Sequence, residues 1–288
     1  METVIRWLRD RQILVVIFSA IYFAAVVLLH EEVSKISVWL RDLLTLKLYN
    51  ALITLSVILF CLLLTIFLVS RIRQGEQKTL KLAYWCFTLL IAGISYNTLL
   101  VTNVEAIHFA QYAFLAIPIF ALTMSYAETL IWVMLLGAID EAYQYFIFKN
   151  WIYFDFNDIV LNVLGGCIGV VLLFSVCGKP KSFTRQQRWR LVQSPPFLTV
   201  VGLAAVAMLL SAGGLLQVYP GEEGSKALVL LSKVPPSQTF WITFKWGKTY
   251  HILTPMEGFA VCALLIGCYA FMDRASHCSS SGWQEIAS

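Results

Sequence analysis

The chain has 288 residues, of which 59% are hydrophobic and only 13% are charged, and its mean hydropathy is +0.75. Because a soluble globular domain carries roughly 25% charged residues, this composition excludes an ordinary soluble domain and indicates an integral membrane protein. The formal net charge of +4 does not indicate nucleic-acid binding, since the basic residues lie between apolar runs rather than on one basic face.

Eight apolar runs are long enough to cross a membrane. A transmembrane helix needs about 20 mostly apolar residues to cross roughly 30 Å of hydrocarbon. We therefore predict an all-α, polytopic transmembrane helix bundle of about eight spans, at residues 12–29, 48–69, 82–101, 107–123, 128–147, 158–177, 197–216 and 256–272. Arginines precede the first run, as in a signal peptide. No small-residue cleavage pattern follows Leu29, so we predict an uncleaved span.

Lys and Arg are unevenly distributed between the two sets of segments that flank these spans. One set holds twelve basic residues in 42 positions and comprises residues 1–11, 70–81 and 178–196. The other set holds eight in 72 positions and comprises residues 30–47, 102–106, 148–157 and 217–255. Because cytoplasmic loops are enriched in Lys and Arg, we predict that the first set and both termini are cytoplasmic.

Polar side chains lie near the predicted outer ends of spans four, five and six. They are His108, Gln111 and Tyr112 in span four, Glu141 and Gln144 in span five, and Asp158 and Asn162 in span six. Within each span the spacing of three or four positions puts these side chains on one helical face. Because short loops join the three spans, we expect the side chains to converge on one site, with Glu105 and Asp155 at its rim.

Glu141 is the residue that most strongly indicates a function. An ionisable side chain near the bilayer centre costs about 2.5–3.5 kcal/mol on insertion scales, and Glu141 lies about two turns inside the predicted boundary. The other residues also have structural interpretations: Asp158 as an N-cap, Asn162 as a packing amide and His108 as an interfacial residue. Together these side chains form either a ligand or catalytic site, or a hydrogen-bond network that locks the bundle.

Three short motifs occur in a fixed order in this part of the chain. They are Glu105-Ala-Ile-His108-Phe109, Glu141-Ala-Tyr-Gln144 and Asp158-Ile-Val-Leu-Asn162-Val-Leu-Gly165, the last followed by Gly169. This order resembles the VanZ-like family, whose pattern is an acidic residue before His-Phe, then Glu-x-x-Gln, then Asp-x-x-x-Asn-x-x-Gly. The resemblance covers residues 80–178 and implies a four-span core. Residues 1–79 would add two N-terminal spans, and residues 179–288 a basic cytoplasmic loop, two spans and an outer loop.

The chain departs from the family pattern at two places. The family often has Lys where this chain has Ala106. It also often has Pro-x-Arg after Glu-x-x-Gln, where this chain reads Phe148-Lys149-Asn150-Trp151. A role of that family arginine in contacting an anion would here fall to Lys149. The founding member is linked to low-level resistance to the glycopeptide teicoplanin, so the resemblance implies a multi-pass protein of the bacterial plasma (inner) membrane and the cell envelope, and names no reaction.

Two functional hypotheses follow. In the first, the site binds or acts on a lipid or lipid-linked substrate at the outer leaflet, with Glu141 as general acid or base. The candidate catalytic residues are His108, Glu141 and Asp158, and the candidate substrate-binding residues are Gln144, Asn162, Glu105 and Tyr112. In the second, the protein is a structural or partner-binding envelope protein. We find no compact metal-ligand signature, no identifiable cofactor or protein partner, and no repeat or broken helix typical of a transporter.

Two glycines in span six predict close helix packing. Gly165 and Gly169 have the GxxxG spacing that lets a second helix approach closely. Because Asn162 lies on the same face, this packing would also position its amide.

The longest predicted outer loop, residues 217–255, has the pattern of a small β-hairpin. Lys226–Leu231 and Thr239–Trp246 read as short strands, and a turn at Gly247 and Lys248 leads into Thr249–Leu253. The loop is rich in aromatic residues, which are typical of a membrane surface. It therefore either rests on the lipid headgroups or forms a lid over the polar site, with His251 available to that site.

Overall fold

The computed structural model describes residues 2–147, 154–177, 191–219, 228–231, 241–243 and 249–278. Within these residues the chain is an all-α bundle of nine α-helices: α1 Glu2–Arg9, α2 Gln12–Leu43, α3 Leu46–Gln74, α4 Lys78–Thr98, α5 Ile107–Thr123, α6 Tyr126–Ile147, α7 Phe156–Cys177, α8 Pro195–Ala212 and α9 Pro255–Cys278. Eight of them, α2 to α9, are long and apolar enough to cross a membrane. The prediction of an all-α bundle with about eight helices long and apolar enough to cross a membrane is confirmed.

Helix α2 is longer than the sequence predicted. We expected it to end near position 29, before the polar residues His30, Glu31 and Glu32, yet it continues to Leu43. The continuation has local support, because the Lys35 ammonium lies 3.1 Å from Glu31 and 2.8 Å from Glu32, at i−4 and i−3 on the same face. At 32 residues the helix is about 48 Å long, which exceeds the hydrocarbon thickness of a bilayer.

Helix α7 forms the centre of the bundle and is its most buried span, whereas α2, α3 and α8 are largely exposed, as expected of helices that face lipid. Helices α4, α5, α6 and α9 pack around α7. Two glycines allow the closest approach. A Cβ atom on Gly165 would lie 2.7 Å from the His108 carbonyl oxygen, and one on Gly169 would lie 2.9 Å from the Ala116 Cβ. The structure therefore places both glycines directly against the α5 backbone.

One end of the bundle, here called the site end, brings together the start of α5, the end of α6 and the start of α7. A short 3-10 turn, Asn103–Ala106, leads into α5 there. Among the described residues between α8 and α9 there are four very short strands: β1 Leu216–Gln217, β2 Val229–Leu230, β3 Trp241–Thr243 and β4 Thr249–His251. Strands β3 and β4 pair antiparallel, with Ile242 opposite Tyr250.

The predicted hairpin therefore has a counterpart in β3 and β4, while the turn that would join them, at 244–248, lies outside the described residues. The parallel pairing of β1 with β2 was not predicted. Parts of both pairs contact the site end. The Leu230 backbone N–H donates to the Tyr145 hydroxyl over 3.1 Å, and Asn157 at the start of α7 bonds to the segment that follows β4.

Candidate functional site

The structure brings together side chains from α5, α6 and α7 at the site end. We call them the polar cluster, which comprises His108, Tyr112, Asp140, Glu141, Gln144, Asp158 and Asn162. Each is at most 6% exposed. The His108 Nε2 atom lies 3.9 Å from Asp158 Oδ2, which links α5 to α7. On α6, Gln144 Nε2 donates to Glu141 Oε1 over 3.1 Å. Six of these seven residues were predicted site residues.

Glu105, a predicted substrate-binding residue, lies beside the polar cluster rather than within it. Its Oε2 accepts the Val101 backbone N–H at 2.7 Å, and its Oε1 accepts both the backbone N–H and the hydroxyl of Thr102 at 3.0 Å. The carboxylate thus closes the turn that precedes α5, as in a capping box. This fixes the start of α5 and hence the position of His108, three residues later.

Asp140 is a member of the polar cluster that the sequence analysis missed. It is fully buried, and its Oδ2 accepts a hydrogen bond of 3.0 Å from the Tyr112 hydroxyl. The available signal was its spacing from Gln144 at i+4, which puts both side chains on one face of α6. Asp140 directly precedes Glu141, and although adjacent positions of a helix point in different directions, the structure brings both side chains into the polar cluster.

His30 of α2 also reaches the polar cluster and was also missed. Its ring centroid lies 5.9 Å from that of His108, and its charge interacts with Asp140. No sequence pattern predicted this contact, because we expected the helix to end at that position. His30 is less buried than the cluster members, so it marks the border between the cluster and the outer face of α2.

Several buried polar atoms of the cluster are left without a hydrogen bond. Among the described residues, no partner is found for His108 Nδ1, Asp140 Oδ1, Gln144 Oε1, or the Oδ1 and Nδ2 of Asn162. Each such atom costs about 1–3 kcal/mol, and the large majority of buried polar side-chain atoms in proteins do have partners. Because His108 also interacts with Asn162 and Asp140 with Gln144, the cluster is one connected polar network, and its unpaired acceptors and single unpaired donor are available to a ligand.

The polar cluster is rich in carboxyl groups. Asp140, Glu141 and Asp158 lie within it, and the charges of Asp155 and Glu105 act on Asp158 from its edge. Like charges in a poorly solvated place disfavour one another, so the cluster suits a hydroxyl-rich or cationic group better than an anion. In the part of the chain that the structure describes, no three His, Cys, Asp or Glu side chains converge closely enough to hold a metal ion.

The segment around β4 is fastened over the start of α7 by the buried amide of Asn157. Its Nδ2 donates to the carbonyls of Leu99 at 2.9 Å and His251 at 2.7 Å, and its Oδ1 accepts the Leu253 N–H at 2.8 Å. Next to it, Tyr250 is buried, which together with the nearby acidic charges raises its pKa. This contact places the end of β4 beside the start of α7, where Asn157 directly precedes Asp158.

The imidazole of His251 does not enter the polar cluster. Its Nε2 lies 3.3 Å from Glu257 Oε2, at the start of α9, while its backbone carbonyl is the group that bonds to Asn157. The hypothesis that His251 is available to the polar cluster therefore does not hold for its imidazole, which faces Glu257. Lys149, the predicted substitute for the family arginine, lies outside the described residues.

The three motifs of the predicted core meet in space as described above, through His108, Glu141 and Asp158 at the site end. This geometry is compatible with the resemblance to the VanZ-like family and does not test it. Comparisons with protein-family models, with curated proteins and with solved structures give no match to this chain, so the resemblance stays a prediction from the motifs.

Proposed function

We propose that the chain is a VanZ-like protein of the bacterial plasma membrane whose polar cluster binds and acts on a lipid-linked or headgroup-bearing substrate of the cell envelope. Both termini would lie in the cytoplasm and the site end at the outer leaflet. The observation that carries this proposal is the set of five unpaired buried polar atoms in His108, Asp140, Gln144 and Asn162. A role linked to glycopeptide resistance follows from the resemblance alone.

The arrangement suggests a role for each side chain. Glu141, held by Gln144 at 3.1 Å, serves as general acid or base toward a substrate hydroxyl. His108 is its proton partner, and Asp158, whose Oδ2 lies 3.9 Å from His108 Nε2, orients a polar group of the substrate together with Asn162. The Asn162 amide, with both polar atoms unpaired among the described residues, orients a neighbouring polar group of the substrate.

The alternative is a structural or partner-binding envelope protein in which the cluster only joins helices. The hydrogen bond from Tyr112 to Asp140 and the close packing at Gly165 favour this role for part of the cluster. A purely structural network, however, would be expected to pair its members, because unpaired buried groups lower stability. The unpaired atoms therefore favour the site hypothesis.

The test is substitution of the two central residues, Glu141→Gln and His108→Ala. Each variant is produced in a glycopeptide-susceptible bacterium, and both its membrane accumulation and survival on teicoplanin are measured. We expect normal accumulation with lost protection. The matched control is Glu128→Gln, which makes the same change on α6 at the opposite end of the helix. Parental protection by both variants would refute the site hypothesis, and poor accumulation of both would identify a structural network.

The proposed orientation has a separate test. Single cysteines placed within residues 178–196, the most basic predicted cytoplasmic segment, are treated with a membrane-impermeant thiol reagent from outside the cell. We expect no labelling until the membrane is opened. Efficient labelling of intact cells would place this segment outside and, with it, the polar cluster at the inner leaflet.

A further inference from the structure

A second polar site lies at the site end, between the end of α2, the start of α3 and the turn before α5. It is a partly open cleft of about 40 Å³, with room for several water molecules. We call it the Arg41 cleft. Its polar lining comes from Ser37, Arg41, Tyr49, Asn50, Thr102 and Asn103.

Arg41 gives this cleft a positive charge. Its side chain is only 21% exposed, and the carboxylate of Asp42, which lies 3.8 Å from its Nε, belongs to a side chain that is 70% exposed. A guanidinium stays charged at all physiological pH values and presents a planar set of N–H donors that matches two oxygens of one anion. The cleft is thus chemically opposite to the carboxyl-rich polar cluster.

The walls of the Arg41 cleft are held in place by their own hydrogen bonds. The Tyr49 and Ser37 hydroxyls lie 2.6 Å apart, which ties α3 to α2. Asn103 Nδ2 donates to Thr54 Oγ1 at 3.0 Å, which ties the turn before α5 to α3. Because the walls are fixed before a ligand arrives, little ordering is needed when one binds.

The position of Arg41 along α2 indicates what can reach the cleft. It lies 29 residues beyond Gln12, or about 44 Å along the helix axis, whereas the hydrocarbon core of a bilayer is about 30 Å thick. A span that enters the hydrocarbon near Gln12 therefore leaves it before Arg41, which then lies at or beyond the headgroup layer, where the abundant anion is phosphate. Ser37 and Arg41 follow His30 at i+7 and i+11, so they share its face of α2 and lie on the protein side of that layer.

We propose that the Arg41 cleft binds a phosphate group, with the Arg41 guanidinium contacting two phosphate oxygens and one hydroxyl of the Ser37–Tyr49 pair donating to a third. The phosphate is that of a lipid headgroup or a free phosphate ion, which have this chemistry in common. The site is separate from the polar cluster, and its existence does not depend on the function proposed above.

The experiment uses the purified full chain in a neutral detergent and measures thermal stabilisation by three probes: dioleoylphosphatidylglycerol, dioleoylglycerol as its phosphate-free match, and inorganic phosphate. We expect stabilisation by the phospholipid and none by dioleoylglycerol. Stabilisation by inorganic phosphate as well would identify the phosphate group itself as sufficient, whereas its absence would identify the headgroup as the source. Failure of both phosphate-bearing probes would overturn the proposal.

Variants locate the effect in the cleft. Arg41→Gln should weaken the apparent affinity about tenfold or more, because it removes charge-assisted hydrogen bonds. The matched control is Lys47→Gln, an exposed cation nearby that does not line the cleft, and its affinity should equal that of the parent. An equal loss of affinity in both variants, or no loss of affinity in Arg41→Gln, would overturn the assignment of the phosphate site to this cleft. If Arg41→Gln does not fold, the comparison uses Arg41→Lys and Lys47→Arg instead. The Arg41→Lys variant must then bind the phosphate-bearing probe more weakly than the Lys47→Arg variant.

Discussion

The hydroxyl of Tyr112 donates a hydrogen bond of 3.0 Å to Oδ2 of Asp140, so α5 and α6 are joined inside the polar cluster. Neither side chain is exposed. The other carboxylate oxygen, Oδ1, has no hydrogen-bond partner within the described part of the chain. One carboxyl group thus contributes both to the packing of the bundle and to the polar surface that we assign to a ligand.

This relationship predicts opposite effects for two conservative substitutions. Tyr112→Phe leaves Asp140 buried without its donor, so we expect the free energy of unfolding to fall by about 1–3 kcal/mol. Asp140→Asn keeps a carbonyl oxygen for Tyr112 and removes one of three neighbouring carboxyl groups, so stability should stay equal or rise. Denaturant titration of both variants in mixed micelles measures this. A less stable Asp140→Asn than Tyr112→Phe would contradict the predicted order.

Close packing of α7 on α5 predicts a strong dependence on Gly165. A Cβ there would lie 2.7 Å from the His108 carbonyl oxygen and 2.9 Å from the Tyr112 Cβ, and the backbone atom cannot move independently. We expect Gly165→Ala to lower the free energy of unfolding by about 1–3 kcal/mol or more. Gly202→Ala on α8, where no atom would lie within 4 Å, should raise it by about 0.5–1 kcal/mol. Equal effects of the two substitutions would show that the helices are not in close contact.

The apolar runs predicted the helices, because each run is long enough to cross the hydrocarbon of a bilayer. The three motifs predicted most of the polar cluster, because residues three or four positions apart share one face of a helix. Asp140 and His30 were missed for different reasons. The first lies beside a stronger candidate, whereas the second depends on α2 continuing through a polar segment and packing on α5. Glu105 was predicted to lie at the rim of the site. Its oxygens instead accept the backbone N–H groups of Val101 and Thr102, and helical spacing alone does not reveal such local hydrogen bonds.

The amide of Asn157 makes three hydrogen bonds that join α7 to α4 and to the segment after β4. Asn157→Ala removes all three, so we expect a loss of several kcal/mol in stability and faster hydrogen exchange at Leu253. Exchange is measured by mass spectrometry on the detergent-solubilised protein. The control is Asn97→Ala, since Asn97 is exposed and bonds to the Gly93 carbonyl of its own helix. Unchanged protection at Leu253 in Asn157→Ala would mean that Asn157 does not fasten β4 and the segment after it to α7.

At the opposite end of the bundle, Asp273 of α9 caps the N-terminus of α6. Its carboxylate accepts the backbone N–H groups of Tyr126 at 2.9 Å and Ala127 at 3.1 Å, and the Ser125 hydroxyl at 3.0 Å. Because these N–H groups have no partner within α6, Asp273→Ala should lower the free energy of unfolding by about 1–2 kcal/mol. Asp42→Ala, at an exposed carboxylate, is the control and should change it little. Equal stability of both variants in denaturant titration would exclude the capping role.

Asn162 separates the two functional hypotheses most directly. Leu has the same branching as Asn, so Asn162→Leu removes two buried polar atoms that have no partner among the described residues, and the volume that its methyl groups add is the same as in the matched variant Asn157→Leu. If the polar cluster is a ligand site, stability should be unchanged or higher, by up to about 1–3 kcal/mol, while teicoplanin protection is lost.

Asn157→Leu is the matched comparison, because Asn157 is also buried on α7 but fully paired. It should be destabilised where Asn162→Leu is not, since the same change leaves three backbone groups without their partner. Both variants are titrated with denaturant and assayed for protection. Equal destabilisation of the two would show that Asn162 belongs to a structural network, and the ligand-site hypothesis would then lose the observation on which it rests.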